Sequence, residues 1–443
     1  MRDIVLALII FGLLPFVLSR PVWGVYLSAW LGYMNAHRLC YGFMLSFPVV
    51  LVVALTTMIA MLASKEKMRM IWSRETIVLL LFVVWMGITT TQALYFDLAL
   101  EQYDKVVKIQ ILTVMTIMLL TSKERVHLFV WVIALSLGFY GIKGGIFTIL
   151  NGGAYRVQGP MGTFIGGNNE MALALVMTIP LMRYLHLQEP RKWLQMGLAG
   201  AMLLTAIAAI GSQSRGALVG MTIMGAMFWL KSRNKFATAL LIAVAVVAIV
   251  SIMPQEWYDR MNTIETYQED DSALGRINAW WTGFNVANAR FTGGGFEMYR
   301  YPTFQAYAPE PDRVHDVHSI YFEVLGEHGW PGLTLFLLLL ALTWLKCSHI
   351  IRFSKKRPDL KWAGDLAAMI QASMIGYMAS GAFLGLAYFD YIYHLVALAV
   401  VTDFLIHDEG KTLAQKPEAL SPTLKTPASI PARSLTSTST MKR

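Results

Sequence analysis

Cysteine and charge are both scarce in this sequence. Only two of its 443 residues are cysteine, and only 15% are Asp, Glu, Lys or Arg, whereas a soluble domain carries about 25% charged residues. The composition therefore excludes an ordinary soluble enzyme. Cys40 and Cys347 lie near what we interpret as opposite faces of a membrane, and this separation excludes a disulfide between them.

Lysine is missing from the longest polar segment, residues 254–317, which holds ten acidic residues and five arginines. The other connectors alternate between basic and less basic, and basic connectors usually face the cytoplasm. The basic set comprises residues 65–69, 122–125, 191–192, 231–235 and 352–361. We therefore place the lysine-free segment outside the cytoplasm. The formal net charge of +9 is explained by the basic connectors and does not indicate a nucleic acid partner.

Recognisable cofactor motifs are also missing. The sequence has no phosphate-binding glycine loop, dinucleotide fingerprint, haem motif or nucleophilic-serine elbow, and no cofactor is predicted. No small-residue cleavage site follows the first apolar run, which ends at Ser19-Arg20-Pro21. We therefore interpret that run as an uncleaved anchor.

Apolar runs near the ~20 residues that cross a bilayer recur along the chain. Eleven of them span residues 41–62, 76–94, 107–120, 126–150, 168–182, 193–210, 217–230, 236–253, 320–345, 364–386 and 391–406. Their continuous apolar character excludes a closed barrel. Residues 4–18 and 22–33 add two short runs, split by Arg20-Pro21. We count the first 35 residues as one crossing, which gives twelve crossings and two cytoplasmic termini.

The predicted fold is thus an all-α polytopic integral membrane protein of about twelve transmembrane helices with one long extracytoplasmic loop. We divide it into N-terminal transmembrane helices (1–253), the loop (254–317), C-terminal transmembrane helices (318–406) and a tail (407–443). The tail is rich in Ser, Thr, Pro and Lys. Such a composition without apolar periodicity predicts a disordered cytoplasmic segment.

An amphipathic helix is predicted inside the loop, where residues 271–272 can cap its first turn. Arg276, Trp280 and Phe284 recur at i, i+4 and i+8 and therefore share one face. A helix with one aromatic face is typical of the membrane surface. The three glycines at 293–295 then end the helix and allow close approach of the backbone.

Arginines on the extracytoplasmic side are candidate anion ligands. Arg215 lies in a turn between two apolar spans, where a cation runs against the positive-inside bias. Guanidinium binds phosphate in a bidentate manner, so Arg215 and Arg276 are candidate phosphate ligands. Arg156, in the loop after residue 150, is a third candidate. The alternative is an arginine beside lipid headgroups, with Trp280 stacked on Arg276.

His318 stands just before the apolar run that starts at residue 320. A neutral imidazole accepts a proton near neutral pH, so His318 is a candidate general base, and His315 is a second candidate. The alternative is a histidine that starts a helix at a wet interface. Residues 315–318 lack a third ligand with zinc spacing. The acidic cluster at 269–271 holds a divalent ion or supplies first-turn charge, and we predict no metal site.

These features resemble the O-antigen ligase superfamily, which includes O-antigen polymerases and bacterial protein O-oligosaccharyltransferases. The family pattern is a long periplasmic loop that ends in a histidine-led helix, H-[NS]-x-Y-x-x-x-x-x-E-x-G-x-x-G. Here it reads His318-Ser319-Ile320-Tyr321, then Glu327, Gly329 and Gly332. The helix of Arg276, the three glycines after it and the turn of Arg215 are also similar to the family. The opening residues resemble ligases encoded with exosortase systems.

The resemblance implies a GT-C-like glycosyltransferase of the bacterial inner membrane, with its active site facing the periplasm. The implied donor is a glycan on undecaprenyl pyrophosphate, and the implied acceptor is a sugar hydroxyl of the lipid A core. His318 would deprotonate the acceptor, while Arg215 and Arg276 would bind the pyrophosphate without a metal, with inversion at the anomeric carbon. The secondary candidates are His315, Arg156, Trp280 and Tyr321. Membrane lipids would surround the donor's tail.

Three alternatives remain open. A polymerase would use the same donor with a second lipid-linked glycan as acceptor. A protein O-oligosaccharyltransferase would use a Ser, Thr or Tyr side chain. A transporter of lipid-linked glycans belongs to another class, and charges or broken helices near the bilayer midplane are expected for it. The arginines and His318 instead map to one outer edge.

Overall fold

The computed structural model describes residues 1–64, 66, 68–231, 234–236, 239–240, 243, 246–247, 251, 253–255, 257–258 and 271–414. All regular secondary structure in these residues is helical. Seven of the described helices are long and apolar enough to cross a membrane, and two shorter apolar helices accompany them. The predicted polytopic helical membrane fold is confirmed.

We number the α-helices of the described residues in chain order. They are α1 (Arg2–Ser19), α2 (Val22–Met34), α3 (Val49–Ala63), α4 (Arg74–Thr91), α5 (Phe96–Leu119), α6 (Lys123–Leu150), α7 (Asn168–Gln188), α8 (Lys192–Gly211), α9 (Arg215–Lys231), α10 (Asp271–Ala289), α11 (Tyr301–Tyr307), α12 (Ile320–Ser354), α13 (Lys361–Gly381) and α14 (Asp390–Ala414).

Most predicted spans coincide with a helix, but two begin more than two turns away from the predicted residue. α3 begins at Val49 rather than near residue 41, because Pro48 starts it and short 3₁₀ helices occupy the preceding residues. α5 begins at Phe96 and so includes residues 96–104, which we had expected to be a connector. The predicted span 236–253 lies largely outside the described residues.

The first 35 residues form two antiparallel helices instead of one crossing. Arg20 has an extended backbone between α1 and α2, and Pro21 precedes α2 with the fixed φ of proline. Asp3 at the start of α1 accepts hydrogen bonds from the amides of Gly42 and Met44, which follow α2. The chain therefore returns to the end of the bundle at which it began. The connector between α1 and α2 has a single charged residue, which is too few for the positive-inside rule to distinguish one crossing from two.

The bundle has two distinguishable ends. The end formed by residues 92–95, 151–167 and 212–214 we call the loop end, and the opposite end, formed by residues 64–73, 120–122 and 189–191, we call the basic end. Helices α7, α13 and α14 bury most of their residues, and their side chains contribute many members of the main hydrophobic core. Residues 407–414 continue α14 as helix, and the rest of the predicted tail lies outside the described residues.

A break in α12 distinguishes it from an ordinary span. Gly329 has φ 65° and ψ −172°, far from helical values, and Pro331 has no amide hydrogen to donate to Glu327. The carbonyls of Gly326, Glu327 and His328 therefore need other donors. An unpaired backbone carbonyl in an apolar membrane interior costs several kcal/mol.

Two other segments supply those donors. The amides of Gly294 and Gly295 donate to the carbonyls of Gly326 and Glu327, each at 2.8 Å. The indole Nε1 of Trp85, on α4, donates to the carbonyl of His328 at 2.8 Å. The three glycines thus approach the backbone of α12 directly, which confirms the close approach expected from the sequence.

Gly293 tests this backbone contact. Its φ is +67°, and a Cβ there would lie 2.6 Å from both the Gly326 carbonyl oxygen and the Gly329 nitrogen. We expect Gly293→Ala to lower the free energy of unfolding by about 2 kcal/mol or more, measured as a lower apparent melting temperature in detergent.

The matched control is Gly197→Ala on α8, where a Cβ would meet nothing within 4 Å. This change should leave stability unaltered or raise it by up to about 1 kcal/mol, because alanine favours helix. Equal melting temperatures for the two variants would contradict the role assigned to the glycines.

Candidate functional site

Arg215 is placed by a tight turn at the loop end. Gln213 adopts φ 58°, and Ser214 caps α9 by accepting a hydrogen bond from the Ala217 amide through its Oγ at 3.3 Å. Arg215 is therefore the first residue of α9, half-buried beside the helix N-terminus. The amides at a helix N-terminus favour bound anions, so the turn combines two sources of positive potential.

The loop of Arg156 is attached to the same turn. The Val157 amide donates to the Gly211 carbonyl at 3.2 Å, and the Arg156 Nε donates to Oε1 of Gln213 at 3.3 Å. Arg156 itself is exposed. The structure thus brings Arg156 beside the turn of Arg215, although it does not line the cavity described below.

Helix α10 is amphipathic, and the face that it buries in the protein is not the aromatic face. The fully buried positions are mostly small residues, including Gly275, Ala279 and Gly283, and α10 packs through them against the protein. Arg276 and Trp280 lie on the neighbouring, half-buried face. Small residues let two helices approach closely, so residue size rather than hydrophobicity selects the buried face here.

The two candidate phosphate ligands meet in one cavity of about 260 Å³. Arg215 and Val219 line it from α9, Arg276 and Trp280 from α10, and Phe383 from the segment after α13. These elements are far apart in sequence. Because two guanidinium groups converge on a largely apolar wall, the cavity is suited to an anion that carries an apolar group.

The segment before α12 is fixed to α10 by side chains of α10. The Asn278 side chain donates to the carbonyls of Glu310 and Arg313 and accepts from the Glu310 amide, at 2.8–3.0 Å. The Trp280 Nε1 donates to the Val317 carbonyl at 2.8 Å, directly before His318. The Trp280 ring stacks on Phe322, with ring planes 6° apart. Trp280 therefore connects the arginine cavity with His318.

His318 is half-buried and has φ 39°, a left-handed conformation that costs of order 1–3 kcal/mol in a residue other than glycine. Its Nδ1 lies 3.9 Å from Oδ2 of Asp316, and its ring centroid lies 5.5 Å from that of His315. Burial lowers the pKa of His318 below 6.5; Asp316 opposes this shift, and Arg276 and His315 add to it. The imidazole is therefore neutral at neutral pH and able to accept a proton.

Residues 200–337 match a sequence family described as O-antigen ligase, and this match contains Arg215, Arg276 and His318. This match supports membership of the chain in the O-antigen ligase/polymerase superfamily. Residues 1–189 match a second family, whose function is unknown. A comparison with curated proteins gives no match. The superfamily acts on lipid-linked glycans in membranes, which agrees with the multi-pass fold.

Within the O-antigen ligase region, Tyr321 and His315 make contacts outside the arginine cavity. The Tyr321 hydroxyl donates to the Met378 carbonyl at 2.9 Å and so joins α12 to α13. His315 lies against α10, since a Cβ on Gly275 would be 2.6 Å from its ring. Its Nδ1 is 2.8 Å from the Asp316 carbonyl. Neither residue lines the arginine cavity.

The acidic cluster expected at 269–271 is described only at Asp271, because residues 269 and 270 lie outside the described residues. Asp271 is exposed, and its Oδ1 is 3.4 Å from the guanidinium of Arg313. Arg313 belongs to the segment that carries the histidines. Asp271 thus contributes to the attachment of this segment to α10.

Glu327 is the main residue of the superfamily motif whose role the sequence did not reveal. It is buried, its Oε1 accepts from the Glu297 amide at 2.8 Å, and its Oε2 accepts from the Tyr388 hydroxyl at 2.6 Å. Glu323, one turn earlier, accepts from the Ala387 amide at 3.0 Å. Two acids in an apolar helix are the signal that marks such a site, and here they hold the segment between α13 and α14 in place.

Asn278 tests the attachment of the histidine segment. We expect Asn278→Ala to increase amide hydrogen exchange across residues 308–318, because three hydrogen bonds of about 1 kcal/mol each are lost. Exchange is measured by mass spectrometry on the detergent-solubilised protein. Asn288→Ala, on the same helix but bonded to Trp330, should leave residues 308–318 unchanged. Equal effects of the two variants would contradict this attachment.

Proposed function

We propose that the protein is an O-antigen ligase, which transfers a glycan from undecaprenyl pyrophosphate to a sugar hydroxyl of the lipid A core. The observation that carries the proposal is the convergence of Arg215 and Arg276 on one cavity, with Trp280 between that cavity and His318. The site lies at the loop end, opposite the basic connectors. We accordingly propose the inner membrane as its location, with the site facing the periplasm.

The donor fits a pair of adjoining cavities. The arginine cavity would hold the pyrophosphate, assisted by the N-terminus of α9. A second cavity of about 260 Å³ shares Ile277 and Trp280 with it and is otherwise lined by Trp281, Phe284 and Phe322. This aromatic wall suits the first isoprene units of a polyprenyl chain. One charged and one apolar compartment thus match the two parts of the donor.

The proposed step is a displacement at the anomeric carbon. The acceptor oxygen forms a bond to that carbon, the bond to the pyrophosphate oxygen breaks, and its electron pair leaves with the pyrophosphate. His318 accepts the hydroxyl proton of the acceptor. Arg215 and Arg276 stabilise the negative charge on the leaving group, so the positive charge at this step comes from the chain itself. Attack opposite the leaving group inverts the anomeric centre.

Transport is less well supported than transfer, although the break in α12 is a feature of many transporters. In transporters, unwound backbone carbonyls coordinate the transported ion. Here the carbonyls of Gly326, Glu327 and His328 already accept hydrogen bonds from the protein. The break therefore serves packing in this structure.

A reconstituted transfer assay tests the ligase proposal. Purified protein is mixed with undecaprenyl-pyrophosphate glycan and lipid A-core, with and without EDTA. We expect ligated product that persists in EDTA, a loss of about 10²–10⁴-fold in His318→Ala, and a loss of about 10²–10³-fold in Arg215→Ala and in Arg276→Ala. Arg300→Ala removes a partly exposed arginine that pairs with Glu297 and should retain activity.

Other products would change the assignment. Extension of the donor glycan without ligation would indicate a polymerase, and glycan on a protein hydroxyl would indicate a protein O-oligosaccharyltransferase. If wild type transfers to none of these acceptors while His318→Ala flips donor as wild type does, the catalytic assignment is wrong. Loss of activity in EDTA would overturn the metal-free step.

The pH dependence of transfer tests His318 as the base. Because burial holds the pKa of His318 below 6.5, the rate should fall only as the pH drops below that value. Asp316→Asn removes a carboxylate that favours the protonated imidazole, so the acidic limb should move to lower pH. His315→Gln removes a group that opposes protonation and should move it to higher pH. An acidic limb that neither variant displaces would exclude His318 as the titrating base.

A further inference from the structure

A second polar cavity lies away from the arginine cavity and shares no lining residue with it. Its volume is about 600 Å³, and it is enclosed by α2, α5, the start of α14 and the loop residues 162–165. We call it the N-terminal cavity, because most of its lining belongs to residues 1–189, the part that matches a family of unknown function. Neither the arginines nor His318 of the proposed transfer reaction contributes to it.

The depth of this cavity follows from the unequal lengths of its walls. At 1.5 Å per residue, the 13 residues of α2 rise about 20 Å, whereas the 24 residues of α5 rise about 36 Å. Residues 36–39 and 43–45 then form short 3₁₀ helices at the level where α2 ends. The loop end is therefore recessed beside α2, and the exposed middle of α5 faces this recess.

Three basic residues line the recess from two walls. Arg38 follows α2, and Lys105 and Lys108 lie in the middle of α5. The Arg38 guanidinium lies over the loop, since a Cβ on Gly162 would be 3.7 Å from its Nη1. Ionisable residues at such depth in a membrane protein face water-filled cavities and mark ligand pathways. Their presence here requires an explanation that packing does not supply.

Two of these cations form surface ion pairs with acidic groups of α5. Lys105 pairs with Glu101 and Lys108 with Asp104, each one turn apart on the exposed surface of α5. Such pairs contribute only about 0.3–0.5 kcal/mol, so a ligand can replace them. Asp390 also lines the cavity, beside Gly32 of α2. It is placed to accept hydrogen bonds from a ligand's hydroxyl groups.

The remaining walls differ in character along the cavity. Val25 and Ala29 of α2 face Ile109 and Leu112 of α5 and form an apolar part. The amide side chain of Asn35 and that of Gln102 lie with the basic residues. A cavity with cations at one part and an apolar cleft at the other is complementary to an amphiphile with an anionic head.

We propose that the N-terminal cavity binds the phosphate headgroup of a membrane lipid. Arg38, Lys105 and Lys108 contact the phosphate, Asp390 and the amides contact the hydroxyl groups beside it, and an acyl chain lies along the cleft between α2 and α5. A lipid headgroup and a soluble phosphate ester would both present a phosphate ester with neighbouring hydroxyl groups. The cleft favours a lipid over a soluble phosphate ester as its source.

Photo-crosslinking tests this site. The protein is reconstituted into phosphatidylcholine vesicles that contain a small fraction of phosphatidylglycerol with a photoactivatable acyl chain, and crosslinked peptides are identified by mass spectrometry. We expect crosslinks within residues 25–38 and 102–116. The triple variant Arg38→Gln, Lys105→Gln and Lys108→Gln should reduce them by about tenfold or more, because three basic side chains that attract an anionic headgroup are lost.

A matched control removes the same charge elsewhere. The variant Arg20→Gln, Lys192→Gln and Lys361→Gln changes three exposed basic residues of the basic end, one of them in a similar pair with an acid one turn away, and should crosslink as wild type does. Equal melting temperatures of the two triple variants establish that both are folded.

Competition identifies the source of the phosphate. Unlabelled phosphatidylglycerol should abolish the crosslinks, and added phosphatidylcholine should not. If glycerol phosphate in solution competes as well as the lipid, the phosphate site stands and its source is a soluble ester. The proposal is overturned if the pocket variant and the control variant crosslink equally, or if the labelled peptides lie outside residues 25–38 and 102–116.

Discussion

The three carbonyls released at the break in α12 are the constraint on which the loop end depends. A polypeptide in an apolar environment cannot leave them unpaired, and they are satisfied only because the glycines at 293–295 and Trp85 reach them. Arg290, which links α10 to those glycines, donates to the carbonyls of Gly293 and Gln92. The position of α10, and with it that of Arg276, is therefore fixed by backbone chemistry at α12.

The charges of the site are arranged for separate tasks. The two arginines converge on an apolar cavity, where a phosphate would meet little competing water, while the imidazole of His318 stays neutral because it is partly desolvated. The carboxyl groups of Glu323 and Glu327 have structural roles, since they accept hydrogen bonds from backbone amides and a tyrosine hydroxyl. In the proposed mechanism, anion binding by the arginines and proton acceptance by His318 are therefore assigned to different groups.

The sequence was sufficient for the features that depend on local pattern. The lengths of the apolar runs predicted the helices, and the glycine triplet predicted a close approach of the backbone. The residue types and their positions marked Arg215 and Arg276 as candidate phosphate ligands and His318 as a candidate base. Arg215 and Arg276 share a cavity only in the folded protein, because a long segment separates α9 from α10 in sequence. Sequence spacing carries no information on it.

The failures have equally specific causes. The face of α10 that packs against the protein was not predicted, because the sequence pattern marks the aromatic face, whereas close helix packing selects Gly275, Ala279 and Gly283. The start of the chain was misjudged because a single arginine in a two-residue connector carries almost no topological signal. The length of α5 was underestimated because its first turns carry charged residues, and a charged segment between apolar runs indicates a connector in the sequence.

Hydrogen bonds at and beside the break in α12 also join the regions that match the two sequence families. Trp85 donates to His328, and the Leu94 amide donates to the Gly294 carbonyl; in each pair the first residue belongs to the region of unknown function and the second to the O-antigen ligase region. The two regions are therefore not interchangeable modules. A chimera that took one region from a relative would have to keep an indole at position 85 and the backbone path after α4, or the grafted helix would carry unpaired carbonyls into the membrane.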